Sequence, residues 1–169
     1  MNDTSVGTEA DHQQDLYETH FKSAAMGKFL EKIPPTMSTG LDLMHYGCIG
    51  GYLDKPGDAR ECAIMQDTRI IAMSPEARKI LASRLVDLSK SVEANEEGIY
   101  TWMAFVSHDD DISMRIYTRF QTREAMEKYQ GRKDLLDFWA VSKDDIKQME
   151  WRCYVPNSTP EKKKGWLHR

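Results

Sequence analysis

No apolar run in this chain approaches the roughly 20 residues that span a bilayer, so no membrane segment is expected. The opening stretch MNDTSVGTEADHQQD has no hydrophobic core and does not read as a secretory signal. Cysteine is scarce. Cys48, Cys62 and Cys153 are odd in number, widely spaced and outside any CxxC pair, which excludes a disulfide framework and reads as buried free thiols in a reducing compartment. The net charge of −4 leaves no clustered basic field for nucleic acid, and the three-residue run Lys162-Lys163-Lys164 reads as a solvated tail. There is no GxGxxG or GxxxxGK[ST] loop to cradle a nucleotide cofactor, and no GxSxG elbow for a serine nucleophile. A cytoplasmic protein with no nucleic-acid or membrane partner is expected.

What is present is alternation. Ile99 to Ser107 and Met114 to Phe120 each alternate apolar and polar residues around the acidic turn Asp109-Asp110-Asp111, the pattern of a β-hairpin with one buried face. Thr122 then caps a helix with Glu124 in its first turn. Upstream, Glu61 to Met73 reads as a strand. Ser74-Pro75-Glu76 starts a helix whose stripe is Ile80, Leu81, Leu85, Leu88 and Val92, ending near Asn95. Met126, Tyr129, Leu135, Phe138 and Trp139 line the helix after the hairpin, which Gly131 is expected to bend, and a strand from Gln148 to Val155 closes the series. The order βαββαβ predicts an α+β domain with helices on one face of an antiparallel sheet.

Before that domain, Leu16 to Ile33 has a helical stripe (Phe21, Ala25, Phe29, Ile33) stopped by Pro34-Pro35. Leu41 to Tyr46 reads as a short strand and Gly47 to Gly51 as a Gly-rich turn. This helix–strand pair echoes the C-terminal one: Phe29 and Phe138 are 109 positions apart, Tyr46 and Tyr154 108. The expected organisation is a disordered segment 1–14, a helix–strand extension 15–57 that forms a partial repeat, a domain 58–157 and a tail 158–169.

The helix Ser74 to Asn95, the Glu96-Glu97-Gly98 turn, the strand Ile99 to Ser107, the Asp-rich turn, RIYTRF and EAMEKY together resemble a known family. They are similar to ferredoxin-like dimeric α/β-barrel domains of the antibiotic biosynthesis monooxygenase (ABM) type, in its fungal secondary-metabolism form. The resemblance covers residues 60–155 well and 16–55 partly. Glu97 stands where the family usually has proline. His20, in THFKSAAMGKFLEKI, resembles the frequent His of the family's last helix, whereas KYQGRKDLLDFW holds none. The resemblance implies a homodimer, a pocket between sheet and helices, and oxygenation of an aromatic or polyketide-like substrate with no cofactor and no metal. The non-redox alternatives are a cyclase, isomerase, dehydratase or decarboxylase; the non-catalytic one is a binding or stress-response barrel.

Arg115, Tyr117 and Arg119 share one face of their strand. A hydrated, ion-paired face and an anion-binding surface both fit; in the second, the arginines steady a phenolate or enolate while Tyr117 relays a proton. Trp102 with Tyr100 offers an aromatic wall, and Trp102 alone also suits an ordinary core. His20 begins the first helix stripe and His45 lies in the apolar phase of its strand, where a neutral imidazole serves as base or as core filler. The catalytic candidates are therefore His20, Tyr117, Arg115 and Arg119, and the substrate-contact candidates Trp102, Tyr100, His45 and Phe138. His108 beside three aspartates reads as a solvated turn, because adjacent turn residues cannot all aim at one ion.

Overall fold

The computed structural model describes residues 19, 22–33, 44–54, 61–95 and 97–156. The chain divides into two compact units, Met1–Leu43 and Met44–Arg169. In the smaller unit, helix α1 spans Ala24–Lys32, with the Ser23 hydroxyl accepting the Met26 N–H at 3.2 Å. Of the helix expected over Leu16 to Ile33, this is the part that begins at the Ser23 cap, and His20 lies outside the described residues.

The larger unit follows the expected plan: β2 (Ile64–Ala72), α2 (Pro75–Asn95), β3 (Ile99–Ser107), β4 (Ser113–Phe120), α3 (Arg123–Gln130), α4 (Lys133–Ser142), a short 3-10 turn and β5 (Ile146–Tyr154). Strand β1 (Tyr46–Tyr52) precedes them. All strand pairs are antiparallel and the sheet order is β1-β3-β4-β2-β5. Local sequence sets the boundaries. Ser74 caps α2 through its hydroxyl to the Ala77 N–H (3.1 Å), and Thr122 caps α3 likewise onto Ala125 (3.1 Å). Gly131 ends α3, so the single long helix expected there is two.

Alternation assigns the faces. Ile64, Ile70, Met114, Ile116, Phe120, Trp102 and Ala104 point toward the helices, where they meet Leu81, Leu85, Leu88 and Val92 of α2 in one core. Ile80 is 45% exposed and lies outside that stripe. Burying each large aliphatic side chain contributes about 1.5–3 kcal/mol, and the row of them on α2 seats the helix on the sheet. Arg115, Tyr117, Arg119, Asp67, Arg69, Met103 and Phe105 share the opposite, open face, since they are register partners of one another.

Two expectations change. Gly47 to Gly51 is not a turn but part of strand β1, paired along β3 from Tyr46–Ser107 to Tyr52–Trp102. The glycines are what permit the pairing. Gly51 has φ +113°, and a Cβ there would lie 2.0 Å from the Trp102 carbonyl oxygen; one on Gly50 would press on Ser89 and Val86 of α2. Under the 108-residue offset of the echo, β1 begins at Tyr46, the residue matched to the last residue of β5. Of the cysteines only Cys62 is buried; Cys48 and Cys153 are exposed, each being on an edge strand.

Candidate functional site

Beneath the sheet, on its helix face, lies a cleft of about 200 Å³. Its floor is Gln66 and Thr68 of β2, Ile116 and Thr118 of β4, and Met149 and Trp151 of β5. Tyr129 and Gln130 of α3 with Leu135 and Trp139 of α4 form the roof. The volume falls below the roughly 300–1,000 Å³ typical of drug-sized ligands and suits a small planar molecule. Two indoles give it aromatic walls.

Several contacts hold the roof in place. The buried Phe138 ring meets Trp139 edge-on, with centroids 4.7 Å apart at 70°. Asp134, in the first turn of α4, receives Arg132 Nη2 at 2.7 Å and the Ser91 hydroxyl of α2 at 2.6 Å. The Arg132 guanidinium, opposed by partial burial, holds the Asp134 carboxyl down at about 2. Cys153 Sγ of β5 lies 3.8 Å from Met126 Sδ of α3.

The cleft's polar groups are neutral. Gln130 Nε2 donates to Gln66 Oε1 (3.3 Å), and Gln66 Nε2 donates to Thr68 Oγ1 (3.2 Å), a chain running from helix to strand. The Tyr129 hydroxyl accepts the Trp102 indole N–H at 2.8 Å. Burial pushes the Tyr129 phenol up to about 12, with the Trp102 hydrogen bond opposing part of that rise, so it remains a donor at physiological pH. Thr118, 2% exposed, has no side-chain hydrogen bond among the described residues. No carboxylate, histidine, lysine or arginine is among the residues that line the cleft.

The residues singled out from sequence fall elsewhere. Arg115, Tyr117 and Arg119 share one face as expected, but that face is the open one, across the sheet from the cleft. Arg115 grips Asp67 with two hydrogen bonds (Nε–Oδ1 2.5 Å, Nη2–Oδ2 2.6 Å), and the Asp67 side chain is only 8% exposed. Arg119 pairs with Asp54, whose Oδ1 also accepts the Thr101 hydroxyl. Tyr117 sits between the two pairs, and burial raises its phenol above the ordinary value. Trp102 is fully buried in the core behind the cleft and reaches it only through Tyr129. Tyr100 is buried at a register irregularity of β3, Phe138 backs Trp139, and His45 binds Asp109 with its ring Nδ1 (2.9 Å) and its backbone N–H (2.5 Å). Among the described residues no group of three or more His, Cys, Asp or Glu is arranged to hold a metal. The acidic turn caps itself: Asp110 Oδ1 accepts the N–H groups of Ile112 and Ser113.

Sequence reasoning placed Tyr129, Leu135 and Trp139 on a buried stripe and passed over Gln66, Thr68, Thr118 and Gln130. A signal was there: Gln66, Thr68 and Thr118 are polar residues in the apolar phase of their strands, flanked by Ile64, Ile70, Ile116 and Phe120.

No family model and no curated protein matches the chain. Solved structures do. A proposed monooxygenase of Fusobacterium nucleatum (FN1347) superposes with a TM-score of 0.63 at 15% identity, over 84% of this chain and 67% of that one. A proposed antibiotic biosynthesis monooxygenase of Deinococcus radiodurans gives 0.53 at 13% identity, covering 57% of this chain and 94% of its own. Rv0793 of Mycobacterium tuberculosis gives 0.52 at 18%, covering 57% and 97%. The fold is that of the ABM-type domains. Identities this low carry the architecture and no residue assignments, so what the cleft can bind is read from the side chains of this chain. No described helix is long and apolar enough to cross a membrane.

Proposed function

We propose that this ABM-type chain is a small cofactor-independent enzyme that oxygenates an aromatic substrate held in the sheet–helix cleft. The observation that supports this reading is the cleft itself: two indoles and a set of neutral hydrogen-bonding groups side by side, where an aromatic ring can stack, open to solvent along the exposed Trp151 and Met149 of β5. The substrate is an activated ring compound whose C–H or O–H ionises to a delocalised carbanion or phenolate. That anion passes one electron to O2, and the radical pair combines to form a C–O bond. Protonation of the peroxide and loss of water then leave a carbonyl, so a CH2 group and O2 become C=O and H2O. The residues that line the cleft contribute no group that ionises near neutrality, so the proton leaves to solvent at the cleft mouth while the hydroxyl donors steady the anion.

The open face, with Phe105, Met103, Met65 and the half-covered Tyr117, would meet its counterpart in a homodimer, burying apolar area that a monomer leaves wet. The test of function is oxygen uptake by chelator-treated protein with a panel of phenols and cyclic aryl ketones. Uptake coupled to a new carbonyl supports oxygenation. Turnover that persists without O2 moves the chemistry to an isomerase, cyclase or lyase. The absence of an ionisable base in the cleft favours one further reading, a non-catalytic binding barrel, which predicts saturable binding and no turnover either way.

A further inference from the structure

Three buried hydroxyls line the cleft with hydrogens to give and nothing among the described residues to receive them. Thr68 is 4% exposed, Thr118 2% and Tyr129 3%. The Thr68 and Tyr129 hydroxyls already accept, from Gln66 and from Trp102, so what each has left is its O–H. Thr118 has neither role filled. A buried hydroxyl without a partner is disfavoured, and native interiors retain few of them. Here three converge on one cleft whose other polar groups, the Gln66 and Gln130 amides, are already bonded to each other and to Thr68.

Register places two of them for joint action. Thr68 is the Cα partner of Ile116, and Thr118 the partner of Gln66, so the threonines are diagonal neighbours on the helix face of adjacent strands. Diagonal neighbours have Cβ atoms about 7 Å apart, and two O–H···O bonds of about 2.8 Å to one shared oxygen fit that separation. Tyr129 enters from the roof on α3.

We propose that Thr68, Thr118 and Tyr129 form a donor site that recognises a ligand by a carbonyl or phenol oxygen, and that the ligand is a neutral aromatic ketone or phenol of one or two rings. The proposal rests on the cleft being the substrate site and adds to it the group by which the substrate is read. The indoles of Trp139 and Trp151 hold the ring; the hydroxyls hold its oxygen. With no cation in the cleft, carboxylated or sulfonated rings are excluded, since their charge would be desolvated without compensation.

The experiment is calorimetric titration of the full chain with 1-tetralone and with tetralin, its counterpart without the carbonyl, for the natural protein and Thr118→Val. The expected result is that tetralone binds at least tenfold more tightly than tetralin, and that Thr118→Val removes most of that margin while leaving tetralin binding unchanged. The same substitution is expected to raise the melting temperature of the free protein, because it replaces an unpartnered hydroxyl by a methyl group; this separates the effect from a folding defect. Equal binding of both compounds, unaffected by Thr118→Val, overturns the donor site and leaves the aromatic cleft standing. No binding of either compound overturns both.

Discussion

The indole N–H of Trp102 donates to the hydroxyl of Tyr129 across 2.8 Å, joining strand β3 to the roof of the cleft. Trp102 is fully buried, so the bond satisfies an indole donor that water cannot reach, while Tyr129 keeps its O–H for the cleft it lines. Tyr129→Phe strands the indole donor and is expected to destabilise the protein by about 1–3 kcal/mol in urea unfolding. Trp102→Phe costs more, since it adds a packing defect to the lost hydrogen bond.

The Tyr129 phenol also sets a pH limit. Its folded value is about 12 against an ordinary 10.0. Because the folded value is the higher, stability from this group is intact below pH 10, declines between pH 10 and 12, and levels off beyond. The decline amounts to about 3 kcal/mol. Ultraviolet titration of tyrosinate is expected to show one residue ionising last, near pH 12, and Tyr129→Phe removes that phase.

Much of this was legible beforehand. Alternation in Ile99–Ser107 and Met114–Phe120, with Ser74 and Thr122 as caps, defines the sheet and its helices because burial and local hydrogen bonding act residue by residue. The strand YGCIGGY was not legible. Its glycines signal a turn locally, and only the close approach to the Trp102 carbonyl and to α2 makes them strand residues. The cleft was half legible. Arg115, Tyr117 and Arg119 draw the eye because they are large and charged, yet the register partners that neutralise the arginines' face and set it opposite the cleft are distant in sequence.

Gly51→Ala tests the account of β1. A Cβ beside the Trp102 carbonyl, at a φ that disfavours side chains, is expected to cost about 1–3 kcal/mol. Amide exchange is expected to accelerate along the β1–β3 ladder first and leave β2–β5 protected.

Asp67, its side chain 8% exposed, is paired with Arg115 on the open face. Arg115→Met is expected to destabilise by about 3 kcal/mol, because it leaves a carboxylate shielded from water without a partner. Asp67→Asn in the same chain is expected to recover most of that loss. A double-mutant cycle by chemical unfolding reads the coupling directly.

Asp134 makes the acid counterpart. Its carboxyl lies at about 2 rather than 3.8, so the stability it contributes is present above pH 3.8 and lost as pH falls through 2. Its side chain is 33% exposed, and solvent screening reduces the effect to about 1 kcal/mol. Asp134→Asn is expected to flatten acid unfolding in that window and loosen the α4 roof.

The central claim is that the sheet–helix cleft, rather than the open face, receives the aromatic ligand. The most direct measurement is the set of indole ¹H–¹⁵N resonances during a titration with 1-tetralone. Saturable shifts of Trp139 and Trp151 that exceed those of Trp102 are the predicted result. Unmoved cleft indoles, with the shifts confined to backbone amides around Arg115, Tyr117 and Arg119, would contradict it.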